Sequence, residues 1–373
     1  MHSPRNSTAA DHEFDLFASS TRFPALDGLR AVSILLVLLS HMHDPFWSAI
    51  NGGLGVTIFF GLSGFLITTL LLREEDRNDR VSLKNFYIRR VFRILPLYLL
   101  ALALTSALVL GLGLGQGGSN FLQRLPLLAT FNGEFAGSGT FAHSWSLGIE
   151  EKFYVIWPLL AFSVPVVRRS LGRVLLLAVP VAAVSSFIPS TGYFGIYFPI
   201  LGGCALAVAM HNRSSFRVVH TLANPWISSA LFLAMIVFIA ADVSILSQDV
   251  SKYAHVVFAA LALLAMPGFL IRSGWQWRAL SVAPVVFYGS LAYGIYLFHP
   301  FVGEAVDRLV ESGQTSAPLA IARFAGVFVA SFGLAWILHV TVETPLISLG
   351  RRLTRAPGAP STVEAESPVP KTI

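Results

Sequence analysis

Two ionisable side chains in one apolar stretch, RFPALDGLRAVSILLVLLSHMHDP at residues 22–45, are the first candidates for chemistry. Arg30 interrupts its entrance and His41 sits toward its far end. Eleven residues separate them, about 1100° of helix or about 20° past three turns, so both lie on one face roughly 16 Å apart. Charged or titratable groups inside a membrane are costly, and such a pair marks a functional site by default. The competing reading is a snorkelling arginine and a histidine satisfied by a neighbouring helix. A second candidate is HSWSLGIEEKFYVIWP, residues 143–158, where Glu150, Tyr154 and Trp157 recur at helical spacing. A carboxylate beside an imidazole orients it and raises its basicity, so Glu150 is the expected partner of His41, with Glu150 and His41 at one membrane level. The plainer role of Glu150 is an acid favoured near a helix N-terminus. In FYIRRVFRILP, Arg90 and Arg93 stand at i and i+3. They share a face and suit a bidentate phosphate ligand, or otherwise anionic lipid.

The elements that must position these groups are transmembrane helices. The chain has 373 residues, 54% hydrophobic and only 12% charged. Its mean hydropathy is +0.68. A soluble domain carries about 25% charged residues. The expected fold is all-α, a polytopic transmembrane bundle of about ten helices. The spans fall near 27–47, 52–72, 91–113, 146–167, 174–190, 194–210, 226–242, 253–271, 282–303 and 317–341. With both termini inside, 21 of the 26 Lys and Arg residues fall on inner segments and 5 on outer ones. That bias orients the chain with both ends cytoplasmic, and explains the net charge of +6 without a nucleic-acid partner. Residues 1–21 are expected to be a disordered cytoplasmic tail, 22–350 the membrane domain, and 351–373 a second disordered tail. The long outer connection 114–145 contains FLQRLPLLATF, too short to span, and is expected to be re-entrant or interfacial. The single cysteine, Cys204, excludes an intrachain disulfide.

Other polar residues are expected to line the cavity between Arg30 and His41. In GVTIFFGLSGFLIT, residues 55–68, Ser63 stands between Gly61 and Gly64. Small residues there first signify close helix packing. YGSLAYGIYLFHP, residues 288–300, offers Ser290, Tyr293, Tyr296 and His299. Ser63, Tyr154, Tyr293 and His299 complete the expected cavity lining. No HExxH, CxxC, P-loop or GxSxG pattern occurs. Metal and nucleotide-hydrolase chemistry therefore have no footing, and no cofactor or metal is expected.

Five segments together resemble the integral-membrane acyltransferase-3 family of bacterial O-acyltransferases: LDGLRAVSILLVLLSH, FFGLSGFLIT, FYIRRVFRILPLY, WSLGIEEKFYVIWP and SLAYGIYLFHP. They run from residue 26 to about 300 in the family's order. The resemblance implies a multi-pass protein of the bacterial inner membrane. It implies transfer of an acyl group, often acetyl, from cytoplasmic acyl-CoA to a surface polysaccharide, a lipid-linked sugar or another glycoside. Acyl-CoA, a carbohydrate acceptor and membrane lipid are thus the expected partners. The family's essential histidine and arginine fall on His41 and Arg30, its helix-3 arginines on Arg90 and Arg93, and its acid on Glu150. Gly148 departs from the serine, alanine or valine expected there. Some members carry a further C-terminal hydrolase-like domain, which is not expected here. Under this reading the arginines hold the donor phosphates, and His41, oriented by Glu150, deprotonates the acceptor hydroxyl. The residues also leave an acyl-histidine intermediate open. The alternative is a proton-coupled transporter or flippase, with His41 and Glu150 as a relay. Against it stand the lack of an inverted repeat and of paired broken helices.

Overall fold

The computed structural model describes residues 9–42, 45–47, 50, 52–115, 118–188, 192–240, 248–271, 274–309 and 316–355. Among these residues every regular element is helical. The first third comprises α1 (Ala9–Ser19), α2 (Pro24–Ser40), α3 (Gly53–Asn78), α4 (Leu83–Ser106) and α5 (Gly118–Ala129). The middle holds α6 (Trp145–Ser163), α7 (Pro165–Arg169), α8 (Leu171–Ser185), α9 (Gly192–Gly195), α10 (Phe198–His211), α11 (Arg213–His220) and α12 (Pro225–Ala240). The last part holds α13 (Gln248–Leu270), α14 (Trp275–Leu280), α15 (Ala283–Ser290), α16 (Ala292–Leu309), α17 (Ala317–Leu338) and α18 (Thr344–Leu353).

Four of these stretches are long and apolar enough to cross a membrane alone, and three bent helix pairs raise that to seven. The remaining expected spans are α6, interrupted by Glu150, Glu151 and Lys152, and the shorter apolar helices α8 and α13. Each of the ten expected spans therefore has its helix. The bent pairs are α1 with α2 at 76°, α11 with α12 at 66° and, inside an expected span, α15 with α16 at 68°. This last bend follows Gly289, where an added Cβ would stand 1.7 Å from the Asp27 carbonyl oxygen. The absence of a side chain lets α15 press on the start of α2, and α16 then turns away. Helices of unbroken length were expected here, and this close approach is what overrides them.

Antiparallel α2 and α3 are in register through small residues. A Cβ at Gly52 would meet Ser40 Oγ at 1.8 Å, and one at Gly55 the Ser33 carbonyl at 2.4 Å. On its other side α3 packs on α10, where a Cβ at Gly64 would lie 1.9 Å from the Ile200 carbonyl oxygen. These close approaches, two of them onto backbone carbonyls, hold α2, α3 and α10 together.

Residues 9–19, expected within a disordered tail, form α1. Its Asp11 accepts from Arg217 at 2.9 Å and from Arg213 at 3.3 Å. Arg73 donates to the Phe17 and Ser20 carbonyls at 2.7 and 2.6 Å, satisfying the open end of the helix. Phe17 is buried beneath the Arg73 guanidinium. The partners lie 53 to 206 positions away in the chain, so the mixed charge of the segment alone concealed its order. At the other end α18 runs to Leu353 with Arg351 and Arg352 in its last turn, where cations favour the helix dipole. Residues 1–8 and 356–373, the rest of the expected tails, lie outside the described residues.

Candidate functional site

Two polar layers stand at different heights in the bundle. The first gathers around Glu150. Its place on α6, one turn before Tyr154 and two before Trp157, turns all three toward α3. Ser63 Oγ donates to Glu150 Oε1 at 2.6 Å and lies 2.9 Å from the Tyr154 hydroxyl. Further along, Trp157 Nε1 donates to Thr68 Oγ1 at 2.9 Å, so α6 and α3 are stitched together on one face. Arg90 comes in from α4, its guanidinium carbon 4.6 Å from the centre of the Tyr154 ring and 5.7 Å from that of Phe86. Arg30 and Arg93 lie within electrostatic range of Arg90; Glu150 and Glu151 face Arg90, and Glu343 faces Arg93. Arg30 is held by Asp27 one turn back on α2. Tyr293 donates to the Ile94 carbonyl at 2.8 Å, which pins α16 to α4 beside Arg93. The expected donor-binding arginines are thus brought together, and Arg93 is exposed.

The second layer is built of imidazoles. His41 caps the end of α2, with Nδ1 2.8 Å from the Val37 carbonyl and 3.3 Å from Ser40 Oγ. Only an N–H satisfies a carbonyl oxygen, so Nδ1 holds the proton and the basic lone pair of the neutral ring is on Nε2. The His299 ring stands edge-on to His41, centres 4.7 Å apart, and the His143 ring is 5.6 Å from His299. His299 Nδ1 lies 2.8 Å from the Tyr296 carbonyl. The Nε2 atoms of His143 and His299 are buried without a hydrogen-bond partner. The Tyr296 hydroxyl donates to the His143 carbonyl and lies 2.7 Å from Ser146 Oγ. Among the described residues no group of three or more His, Cys, Asp or Glu is arranged to hold a metal ion.

Glu150 was expected beside His41, and it is not there. Ser63, which holds Glu150, is eight residues beyond Gly55, the position that packs on Ser33 to Val37 of α2. Eight residues advance about 12 Å along α3, which puts Ser63 level with Asp27 and Arg30. The reason is the loop before α6. Tyr98, in the interior of α4, donates to the Leu128 carbonyl at 2.6 Å and stacks on Phe131 at 4.0 Å. Arg124, buried, donates to the Ala136, Gly137 and Thr140 carbonyls at 2.8 to 3.2 Å. This folded, anchored connection carries the start of α6 down into the bundle. Gly148 is part of that fit: a Cβ there would meet Glu134 Oε2 and the Phe131 carbonyl, each at 2.5 Å. Glu150 therefore joins the arginines, while Ser146, one turn earlier on the same face, reaches Tyr296. Two functional neighbours were missed in the sequence. His143 could have been noticed as an imidazole at the head of the Glu150 segment. Ser146 carried no signal beyond its place one turn from Glu150.

With this geometry in view, residues 23–340 match the family model described as an acyltransferase domain. The chain is 29% identical to the peptidoglycan O-acetyltransferase OatA of Listeria monocytogenes over 355 residues, covering 87% of this chain and 55% of that protein. It is 30% identical over 310 residues to the putative peptidoglycan O-acetyltransferase YrhL of Bacillus subtilis, covering 74% of this chain and 48% of the relative. It is 29% identical to the O-acetyltransferase OatA of Staphylococcus aureus, covering 88% of this chain and 57% of the relative. The chain spans about half the length of these curated relatives. No solved structure matches it significantly.

Proposed function

We propose, from the premise that this chain belongs to the membrane acyltransferase-3 family, that it transfers an acyl group, acetyl in the simplest case, from acyl-CoA to a hydroxyl of a cell-envelope carbohydrate. The relatives named as peptidoglycan O-acetyltransferases make a peptidoglycan sugar the first acceptor to try. The observation that carries the reading is the two-layer arrangement, with arginines at one height and imidazoles about 16 Å away along α2. We place the arginine layer toward the cytoplasm, with both termini there, in the bacterial inner membrane. Acyl-CoA is then met by Arg90, Arg93 and Arg30, whose forked donors suit its phosphates. Glu150, bonded to Ser63 and facing Arg90, balances charge in that layer and fixes Tyr154 against the guanidinium. It acts on the donor side and not on His41.

His41 is the base in this reading, its proton-bearing Nδ1 fixed by the Val37 carbonyl. As the acceptor oxygen attacks the thioester carbon, its proton passes to Nε2. The tetrahedral adduct collapses with cleavage of the carbon–sulfur bond, and the departing CoA sulfur takes the proton from the imidazolium. An ester and CoA thiol result, and His41 returns neutral. A placed base contributes typically about 10² to 10⁴-fold, and holding both substrates supplies a further share through proximity. The His299 ring packs edge-on against His41, and His143 stands next to His299, so three imidazoles adjoin at this level.

A transporter reading draws on the three bent helix pairs, since transport proteins place broken helices at matching positions of an internal repeat. Detergent-purified protein separates the two. Labelled acetyl-CoA plus a soluble N-acetylglucosamine oligomer should give a labelled glycan without any sealed membrane. Movement of acetyl-CoA or glycan across vesicles, with no transfer in detergent, would refute the transferase.

A further inference from the structure

The reaction above says nothing of where the acceptor sits. At the His41 end of the bundle a cavity of about 240 Å³ opens between the end of α4 with the segment that follows it, the loop ahead of α6 and the C-terminal half of α16. Its wall includes His143, Phe141, Thr140 and Phe301, and its far side carries Glu304 and Arg308. Pro300, also in the wall, directly follows His299 in the chain. The cavity therefore ends on the imidazole layer: His143 lines it, His299 is 5.6 Å from His143, and His41 is 4.7 Å from His299. Glu304 and Arg308 are exposed and paired at 2.6 Å. An exposed i, i+4 pair adds little to stability, so at this mouth its hydrogen-bonding capacity is the more telling property.

We infer that this cavity is the acceptor subsite, holding a single sugar ring of the glycan with one hydroxyl directed toward the imidazole layer. The inference rests on the transferase reading and adds the place and the recognising groups. The size fits one ring: the volume lies below the roughly 300 Å³ at which pockets for drug-sized ligands begin. The chemistry fits as well. The Phe141 and Phe301 side chains offer apolar surface to a ring face. The Glu304 carboxylate accepts from hydroxyls and the Arg308 guanidinium donates to them. The buried, unpartnered Nε2 of His143 belongs to a ring in the same wall. An alkyl chain seated on Leu108 and Leu114 would leave the charged pair unused and bring no hydroxyl to the histidines.

Photolabelling of the full chain in detergent tests this without needing turnover. The probe is a β-1,4-linked N-acetylglucosamine tetramer bearing a terminal diazirine. Labels should map to residues 105–115, 139–143 and 300–308. Ala305→Trp, at an exposed wall position, should cut labelling at least tenfold by filling the space. Glu304→Gln, a surface change that leaves folding intact, should cut it severalfold. Labelling confined to other regions, or labelling indifferent to both substitutions, overturns the subsite. So does labelling of these residues by a diazirine-bearing lipid when the sugar probe gives none. Because no acyl donor is present, labelling here in a chain that transfers nothing would retain the sugar site and sink the transferase instead.

Discussion

Replacing Gly64 by alanine tests the packing that holds the arginine layer together. A Cβ at this position would lie 1.9 Å from the Ile200 carbonyl oxygen and 3.1 Å from the Cys204 nitrogen. Ordinary van der Waals contact begins at 3.4 Å. Helix α3 or α10 must therefore shift by about 1.5 Å, and overpacking of this kind costs typically 1–3 kcal/mol. The neighbour of Gly64 is Ser63, whose hydroxyl is 2.6 Å from Glu150. A displacement of that size takes the pair out of hydrogen-bond range, and a misplacement of about 1 Å can cost on the order of 10²-fold in rate. Gly61 is the control, since a Cβ there meets nothing nearer than a Leu263 methyl at 3.4 Å. Thermal unfolding in detergent, followed by tryptophan fluorescence, and acyl transfer by gel-filtered protein should separate the two. Gly64→Ala should be less stable and nearly inactive, and Gly61→Ala close to normal in both. If the two variants behave alike, the α3–α10 contact does not position Ser63 and Glu150.

Three other substitutions or probes bear on the same account. Arg90→Ala should raise the KM for acyl-CoA at least tenfold, and lysine should restore it only partly because it lacks the planar fork; unchanged donor affinity in equilibrium binding would reduce the cluster to a lipid contact. Tyr296→Phe removes the hydroxyl that joins Ser146 to the His143 carbonyl and should lower turnover about tenfold, the worth of roughly 1–1.5 kcal/mol of hydrogen bonding. Wild-type turnover in that variant would show that the Ser146–Tyr296 link does not support the imidazoles. Reporter fusions at residues 120 and 246 should read outside and those at 80 and the C-terminus inside; a cytoplasmic signal at 120 would invert the direction of transfer.

The spans, and the place of Arg30 and His41 toward opposite ends of α2, were legible in the sequence because hydropathy and helical periodicity are local properties. Their shared face follows from counting residues. The gathering of Arg90 and Arg93 near Arg30 was also within reach, since all three stand at the same ends of their helices. Glu150 was misplaced because its height depends on how deeply the preceding loop folds into the bundle. That depth is set by Tyr98 binding the Leu128 carbonyl and by Arg124 binding three loop carbonyls, contacts that no periodicity announces. The order of α1 was hidden for the same reason, as Asp11 and Phe17 find their partners on α11 and α3. The break between α15 and α16 arises from a single glycine meeting a backbone carbonyl, and the glycine alone does not say what it will meet.

The central claim is that His41 removes the acceptor proton. Its most direct test is acyl transfer by purified, folded His41→Gln protein supplied with labelled acetyl-CoA and the N-acetylglucosamine oligomer. Glutamine can keep a hydrogen bond to the Val37 carbonyl yet cannot take up a proton at neutral pH. Transfer should fall by about 10² to 10⁴-fold while acetyl-CoA binding at the arginine layer persists. A rate near that of the wild type would remove His41 from the chemistry and leave the imidazole layer a structural one.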